Sequence, residues 1–340
     1  MSAMDIARDT AAREGAVTNP EPDRAYRLRG DEPIPDGIRR IARGQLLDAQ
    51  QDLTSQPSGD AGKAIHATRK HVKRLRALVR LARGAIGEDT YAQENAAFRD
   101  AGRGLAAARD ARVMLETLDA LAQRAGDALP ERITARLRLR LQRECDEAIA
   151  SQSGARLAAS ELADAFVRAR DWTFHGEGFA ALTPGLKKSY RRGRKRMRAA
   201  QQDPSPEHLH EWRKRVKDLW HATQLVQAAQ PKALKKTARR VHKLADLLGD
   251  GHDLHVLRDY VEAHPQCFAD DAARASLVAV IDRRAGKLCA KALKRGRKLY
   301  KRSPKKFARA IERGWRKHYS TLPASAPSAL SASTTSTARS

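Results

Sequence analysis

The chain is poor in what a disulfide framework, a membrane span or a β-sheet requires. Its three cysteines, Cys145, Cys267 and Cys289, are too few and too far apart for a disulfide framework or a cysteine-based zinc site. Reduced thiols are the expectation. There is no apolar run of the roughly 18 residues that a membrane-spanning helix needs. The opening MSAMDIARDTAAREGA lacks the apolar centre of a secretory signal, so a cytoplasmic location is expected. Aromatics are only 5% of the residues, and Val and Ile are scattered rather than alternating with polar residues. Ala, Arg, Leu and Lys dominate instead, which argues for helices almost throughout. Acidic residues are also short: 40 Asp and Glu stand against 66 Lys and Arg, a net charge of +26. Such a surplus repels itself in the folded state and favours a polyanionic partner. A merely soluble charged surface is disfavoured, because the charge is not evenly spread.

What is present is organised by a repeat. The stretch His66-Ala-Thr-Arg69-Lys70-His-Val72-Lys73-Arg-Leu75-Arg76 recurs as His210-Glu-Trp-Arg213-Lys214-Arg-Val216-Lys217-Asp-Leu219-Trp220. At about 100° per residue, His66, Arg69, Lys70, Lys73, Arg76 and Arg80 share one helix face, and Val72, Leu75, Leu78, Val79 and Ala82 share the opposite one. Further pairs follow in order. Gly37-Ile-Arg39-Arg40 resembles Gly185-Leu-Lys187-Lys188, and Leu105 to Val113 resembles Leu248 to Val256, setting Arg109-Asp110 against His252-Asp253. Polar Pro-containing breaks, Gln56 to Asp60 and Asp203 to Pro206, precede each His-led helix. Long helices are expected at roughly 131–150 and 271–302, each followed by a shorter one. The expected fold is all-α: two duplicated antiparallel helical-bundle repeats, about 35–170 and 180–318, with a basic central surface or cavity. They are joined by a hinge or turn around Trp172 to Ala180. Residues 1–34, rich in Pro, Gly and charge, and the low-complexity residues 319–340 are expected to be unstructured.

The charge falls in stripes. Lys187 to Arg198 holds eight basic residues in twelve, and no acidic residue occurs between Gly178 and Gln202 or between Arg283 and Ile311. On helices, Lys187, Lys188, Arg191, Arg194, Lys195 and Arg198 share a face, as do Arg284, Lys287, Lys291, Lys294, Arg295, Lys298 and Arg302. A solvated face is the ordinary explanation of one stripe. Such faces usually interleave Glu with Lys, and these four read as lacking that compensation. An anion held where the stripes converge would supply it. Arg, Lys and His suit phosphate oxygens, and the leading histidines, at the starts of their helices, would add backbone N–H groups. The basic faces contain almost no aromatic platform of the kind single-stranded nucleic acids stack on, Trp220 excepted. The lining suits phosphate without bases.

The pieces AIHATRKHVKRLRALVRL, GLKKSYRRGRKRMR, LHEWRKRVKDLWHATQLV and KLADLLGDGHDLHVLR together resemble the CHAD family, the conserved histidine α-helical domain. The resemblance covers roughly residues 35–318 and implies binding of inorganic polyphosphate, with targeting to polyphosphate granules. Its His-x-x-Arg pattern falls on His66, Arg69, Lys73 and Arg76, and on His210, Arg213, Lys214 and Lys217. Its Tyr/Arg-rich helix falls on Tyr190, Arg191 and Arg194. The first Arg-Asp turn is kept as Arg109-Asp110, whereas its counterpart is His252-Asp253. The fused triphosphate-tunnel domain that many relatives carry has no counterpart here, so a stand-alone binding module without catalysis or cofactor is expected. The candidate polyphosphate-binding residues are His66, Arg69, Lys70, Lys73, Arg76, Arg80, Lys187, Arg191, Arg194, Lys195, Arg198, His210, Arg213, Lys214, Lys217, Lys287, Lys291, Lys294, Arg295 and Lys298. The rival readings are a non-specific nucleic-acid binder and a polyphosphate-metabolising enzyme. The latter would need carboxylates for Mg²⁺, and Asp110 and Asp253 are the only recurrent ones. A metal site at His252, Asp253 and His255 would need a further ligand that the sequence does not identify.

Overall fold

Prolines and short polar side chains set where the helices begin. Pro184, Pro206, Pro231 and Pro304 stand in first turns, where the missing N–H costs nothing. The Ser205 hydroxyl accepts from the His208 N–H at 3.4 Å, and the Asp270 carboxylate accepts from the Ala273 N–H at 2.7 Å. The computed structural model describes residues 24–54, 61–105, 107–150, 153–176 and 178–319. The helices in order are α1 (Ile34–Thr54), α2 (Ala61–Ile86), α3 (Glu88–Gly104), α4 (Ala107–Ala125), α5 (Glu131–Ala150) and α6 (Ser153–Arg168). They continue with α7 (Thr183–Gln202), α8 (Pro206–Leu225), α9 (Pro231–Ala263), α10 (Asp271–Leu299) and α11 (Pro304–Tyr319). There is no strand among the described residues, and the fold is all-α.

The helix order runs in parallel through the two halves. The one clear departure is that α3 and α4 are separate helices where α9 is continuous. The break lies beside Leu105, and the aligned Leu248 sits mid-helix. In the first half α1, α2, α3 and α6 pack in a ring, and in the second α7, α8, α9 and α10 do the same. The α9–α10 pair is antiparallel: Glu262 pairs with Arg274 near its turn, while Lys236 faces Arg302 at the far end.

The halves are not two separate domains, because they share a core. Leu75, Leu78 and Val79 of α2 are buried in one cluster with Tyr190, Trp212, Val216 and Leu244 from the second half. A second cluster gathers Leu118 and Leu137 of α4 and α5 with Leu257, Leu277 and Ile281 of α9 and α10. The first half's α4–α5 hairpin therefore docks on the second half's longest helices. At one close helix approach, a Cβ on Gly185 would collide with the Leu81 carbonyl oxygen, so α7 sits directly on the α2 backbone.

One expectation is corrected, and one left between two alternatives is narrowed. Residues 24–33, placed in the unstructured N-terminal segment, are docked. Leu28 is buried and donates its N–H to the Leu225 carbonyl at 2.9 Å, and Glu32 accepts a bidentate pair from Arg40 at 2.6 and 2.8 Å. Of the hinge or turn expected around Trp172 to Ala180, the described residues 169–176 and 178–182 form a packed turn. Trp172 and Phe179 are buried, Phe179 stacks on Trp315 at 4.8 Å, and the His175 N–H reaches the Ala85 carbonyl at 2.6 Å. Residues 1–23, the Gln56 to Asp60 break and residues 320–340 lie outside the described residues.

Overpacking at the α2–α7 contact should show in stability. Gly185→Ala is expected to lower the unfolding free energy by about 1–3 kcal/mol, read as a fall in the urea midpoint. Gly84→Ala, where an added Cβ meets nothing within 4 Å, should instead raise the midpoint slightly.

Candidate phosphate-binding groove

The α2 face forms as its periodicity implies: Val72, Leu75, Leu78, Val79 and Ala82 are all buried. Its basic side then meets α8. Lys73, Arg74 and Lys217 all act electrostatically on the buried His221, which brings the middles of the α2 and α8 stripes to one place. About two turns along α2, Arg80 pairs with Asp218 of α8 at 2.6 Å, and Arg215 takes the other carboxylate oxygen at 3.0 Å. Lys188 and Arg192 of α7 enter from the third side, and Arg83 and Tyr91 close the small cavity with them. The Arg83 guanidinium lies over the Tyr91 ring at 4.4 Å and pairs with Glu88.

The crowding registers in the proton affinities. Burial, and then the neighbouring Arg80, bring Arg76 down to about 10. Burial and Arg215 lower Arg192; burial and Arg83 lower Lys188. In each, desolvation is the larger cause and like charge adds to it. The Arg76 Nε and the Ser189 Oγ are buried without a hydrogen-bond partner. Six cations, Arg76, Arg80, Arg83, Lys188, Arg192 and Arg215, thus surround Asp218, with Glu88 held at the edge by Arg83.

The groove only partly coincides with the expected set. From α2 it takes Lys73, Arg76 and Arg80, and from α8 Lys217. Arg69 leans away, donating to the Gly102 carbonyl at 2.9 Å, and Lys70 is exposed. On α7 the expected stripe, Lys188 apart, points elsewhere. Lys187, Arg191, Lys195 and Arg198 are exposed, and Arg194 turns toward Tyr190 near Arg302. The groove side of α7 carries Gly185, Lys188, Ser189 and Arg192, roughly 100° or more around the helix. The signal was the small pair Gly185 and Ser189, which lets α7 approach α2 and turns the adjacent cations inward. The α10 stripe is also elsewhere. Lys287 gathers with Arg124 of α4, Lys298 with Lys236 and Arg240 of α9, and Lys291, Lys294 and Arg295 are exposed between them. Nor is α8 uncompensated: Glu211 pairs with Lys214 and lies 3.8 Å from Arg196.

The leading histidines stand about one turn inside α2 and α8, so the helix-start N–H groups are not theirs. His66 is exposed beside Lys63, Arg112 and Glu116 in a cavity of about 410 Å³. His210 instead meets His252 of α9, ring centroids 4.7 Å apart, and its buried Nδ1 has no hydrogen-bond partner. Burial and His252 lower its proton affinity. His252 Nδ1 is 3.2 Å from Asp253. Among the described residues no group of three or more His, Cys, Asp and Glu is placed to hold a metal ion, and no helix is long and apolar enough to cross a membrane.

The sequence profile of the CHAD domain matches residues 40–262. Among solved structures, the chain is similar to the crystal structure of the CHAD domain from the plant Ricinus communis. The TM-score is 0.54 at 19% identity, covering 85% of this chain and 94% of that one. No curated protein matches.

The groove's buried histidine should couple charge to stability. Burial, and then Arg74, hold His221 neutral down to about pH 3, against an ordinary value of 6.5. The unfolded chain binds the proton first as pH falls, so stability is full above pH 6.5 and declines below it, by about 2 kcal/mol at about pH 5. His71, lowered to about 4 by burial, adds in the same direction. Urea unfolding at pH 7.5 and 5 should show the loss, and His221→Phe should flatten that pH dependence.

Proposed function

The chain belongs to the CHAD domain family, and on that premise we propose that it binds inorganic polyphosphate in the α2–α7–α8 groove without turning it over. The observation that carries this reading is the crowding itself. Arg76, Lys188 and Arg192 all have their proton affinities lowered, by burial first and then by neighbouring arginines: Arg80, Arg83 and Arg215 respectively. A chain of phosphates relieves that strain directly, giving bidentate acceptors to Arg76 and Arg192 and point-charge partners to Lys73, Lys188 and Lys217. A single phosphate would neutralise only part of it. A polymer with a charge on every unit matches a groove that runs from Lys73 past Arg80 to Arg192.

The carboxylates support binding without turnover. Phosphoryl transfer depends on carboxylates that hold Mg²⁺ against the phosphates. Asp218 is taken by Arg80 and Arg215, and Glu88 by Arg83. Asp253 sits against His252 beyond the groove. The groove's two aromatic rings already have partners: Tyr91 lies under Arg83, and Trp220 lies under Lys217 and stacks on His242, which disfavours single-stranded nucleic acid. Delivery of the protein to polyphosphate granules in the cytoplasm is the role this binding would serve.

Arg76→Gln combined with Arg192→Gln should weaken long-chain polyphosphate binding at least about tenfold, measured by fluorescence anisotropy at fixed salt. Lys187→Gln with Arg191→Gln removes equal charge from the outward face of α7 and should change it far less. Equal losses would mean that net charge alone drives association. Affinity should fall steeply with salt, and duplex DNA or RNA of equal phosphate content should compete poorly. Incubation with polyphosphate and Mg²⁺ should release no orthophosphate; measurable release would overturn the non-catalytic reading.

A further inference from the structure

The basic stripe of α10 is left over by the groove, and one end of it closes a separate cavity. That cavity, about 390 Å³, lies where α7, α9, α10 and α11 meet. Its rim carries five cations: Lys236 and Arg240 of α9, Lys298 of α10, and Lys301 and Arg302 just beyond it. No carboxylate lines it, and among the described residues none of the five has an ion-pair partner. At the opposite end of α9 and α10, by contrast, Arg258 pairs with Asp282 and Arg274 with Glu262. The floor is different in kind. Leu234, Leu299 and Ile311 surround Tyr190 and Phe307, whose rings stack 4.3 Å apart. Gln230 sits in the wall with its Nε2 donating to the Ala310 carbonyl at 2.8 Å, which leaves its Oε1 to accept. On α7, Tyr190 faces this cavity while Lys188 and Arg192, two residues to either side, face the groove; the two sites lie on opposite sides of one helix. The α10 and α11 wall also falls beyond residue 262, where the family match ends.

We propose that this cavity is a second ligand site, taking a nucleoside polyphosphate. Bare phosphate chains have no use for an apolar floor, and a neutral apolar ligand has none for five cations. A ligand that is polyanionic at one end and planar and apolar at the other meets both. The phosphates lie against Lys298, Arg302, Lys236 and Arg240, where guanidinium and ammonium donors are unpaired. The base lies over the Leu234, Phe307 and Ile311 floor, and Gln230 Oε1 accepts from an exocyclic amino group such as adenine's. The cavity is within the size range of small-molecule sites. This inference does not rest on the reading of the groove.

The test uses the full chain with ATP, tripolyphosphate and long-chain polyphosphate as probes, by isothermal titration calorimetry without Mg²⁺. ATP is expected to bind at one site per chain and more tightly than tripolyphosphate. Lys298→Gln with Arg302→Gln, both exposed side chains, should weaken ATP binding at least tenfold and leave long-chain polyphosphate binding within twofold. Arg76→Gln with Arg192→Gln should do the reverse. Ile311→Asn, which spoils the floor, should weaken ATP but not tripolyphosphate, and a circular dichroism melt checks that it folds. Equal affinity for ATP and tripolyphosphate, or unchanged ATP binding in the Lys298 and Arg302 variant, would overturn the proposal. Loss of ATP binding in the groove variant alone would place the nucleotide in the groove and overturn it too.

Discussion

A single carboxylate holds the groove together. Asp218 rises from α8 into a ring of cations contributed by three helices, and Arg80 and Arg215 share its two oxygens. Two guanidinium charges about 5 Å apart repel by about 3 kcal/mol at the effective dielectric of a protein surface. Without Asp218, the contact between α2, α7 and α8 would have to bear several such repulsions at once. With it, the helices close, and one negative charge still leaves the ring strongly positive. The folded state is therefore stable without a ligand while keeping its attraction for one. The small residues Gly185 and Ser189 are the steric half of the same device, since they let α7 come near enough for Lys188 and Arg192 to join.

Much of this was legible in the sequence, and what was not has a physical reason. Composition and 3.6-residue periodicity placed the helices and the apolar face of α2 from Val72 to Ala82. The repeated His-led segments pointed to α2 and α8 as paired walls, and they do meet through Lys73 and Lys217. On α7 the expected stripe and the groove side share only Lys188. A stripe opposite Leu186, Tyr190 and Met197 looked like the binding face, but a helix packed on two neighbours has its important polar side next to the core, not opposite it. Lys188 and Arg192 flank the contact; Lys187 and Arg191 face water. The compensation by Glu211 and Asp218 was visible in sequence as i,i+3 and i,i+4 spacing, and it matters because it fixes which cations are engaged and which remain for a ligand.

The shared core constrains how the groove can move. Leu75 and Val79 of α2 are buried together with Trp212 and Val216 of α8, so the groove's walls are continuous with the interior of both halves. Opening the groove would mean separating close-packed apolar surface at about 25 cal/mol per Å². The distal cluster adds a second anchor, because α9 runs from the first core into it and the α4–α5 hairpin clamps its far end. A groove with fixed walls selects by spacing of charge rather than by folding around its partner, and a repeating polyanion suits such a surface.

The two leading histidines show that parallel halves need not give equal ends. His66 is exposed among Lys63, Arg112 and Glu116, whereas His210 is half-buried against His252. Burial and the neighbouring imidazole disfavour a second proton at His210, so that at neutral pH it offers a neutral ring. On the proposed reading, a phosphate at the α8 end would favour the protonated ring. Protonation and anion binding there would then assist one another, as any two linked equilibria do.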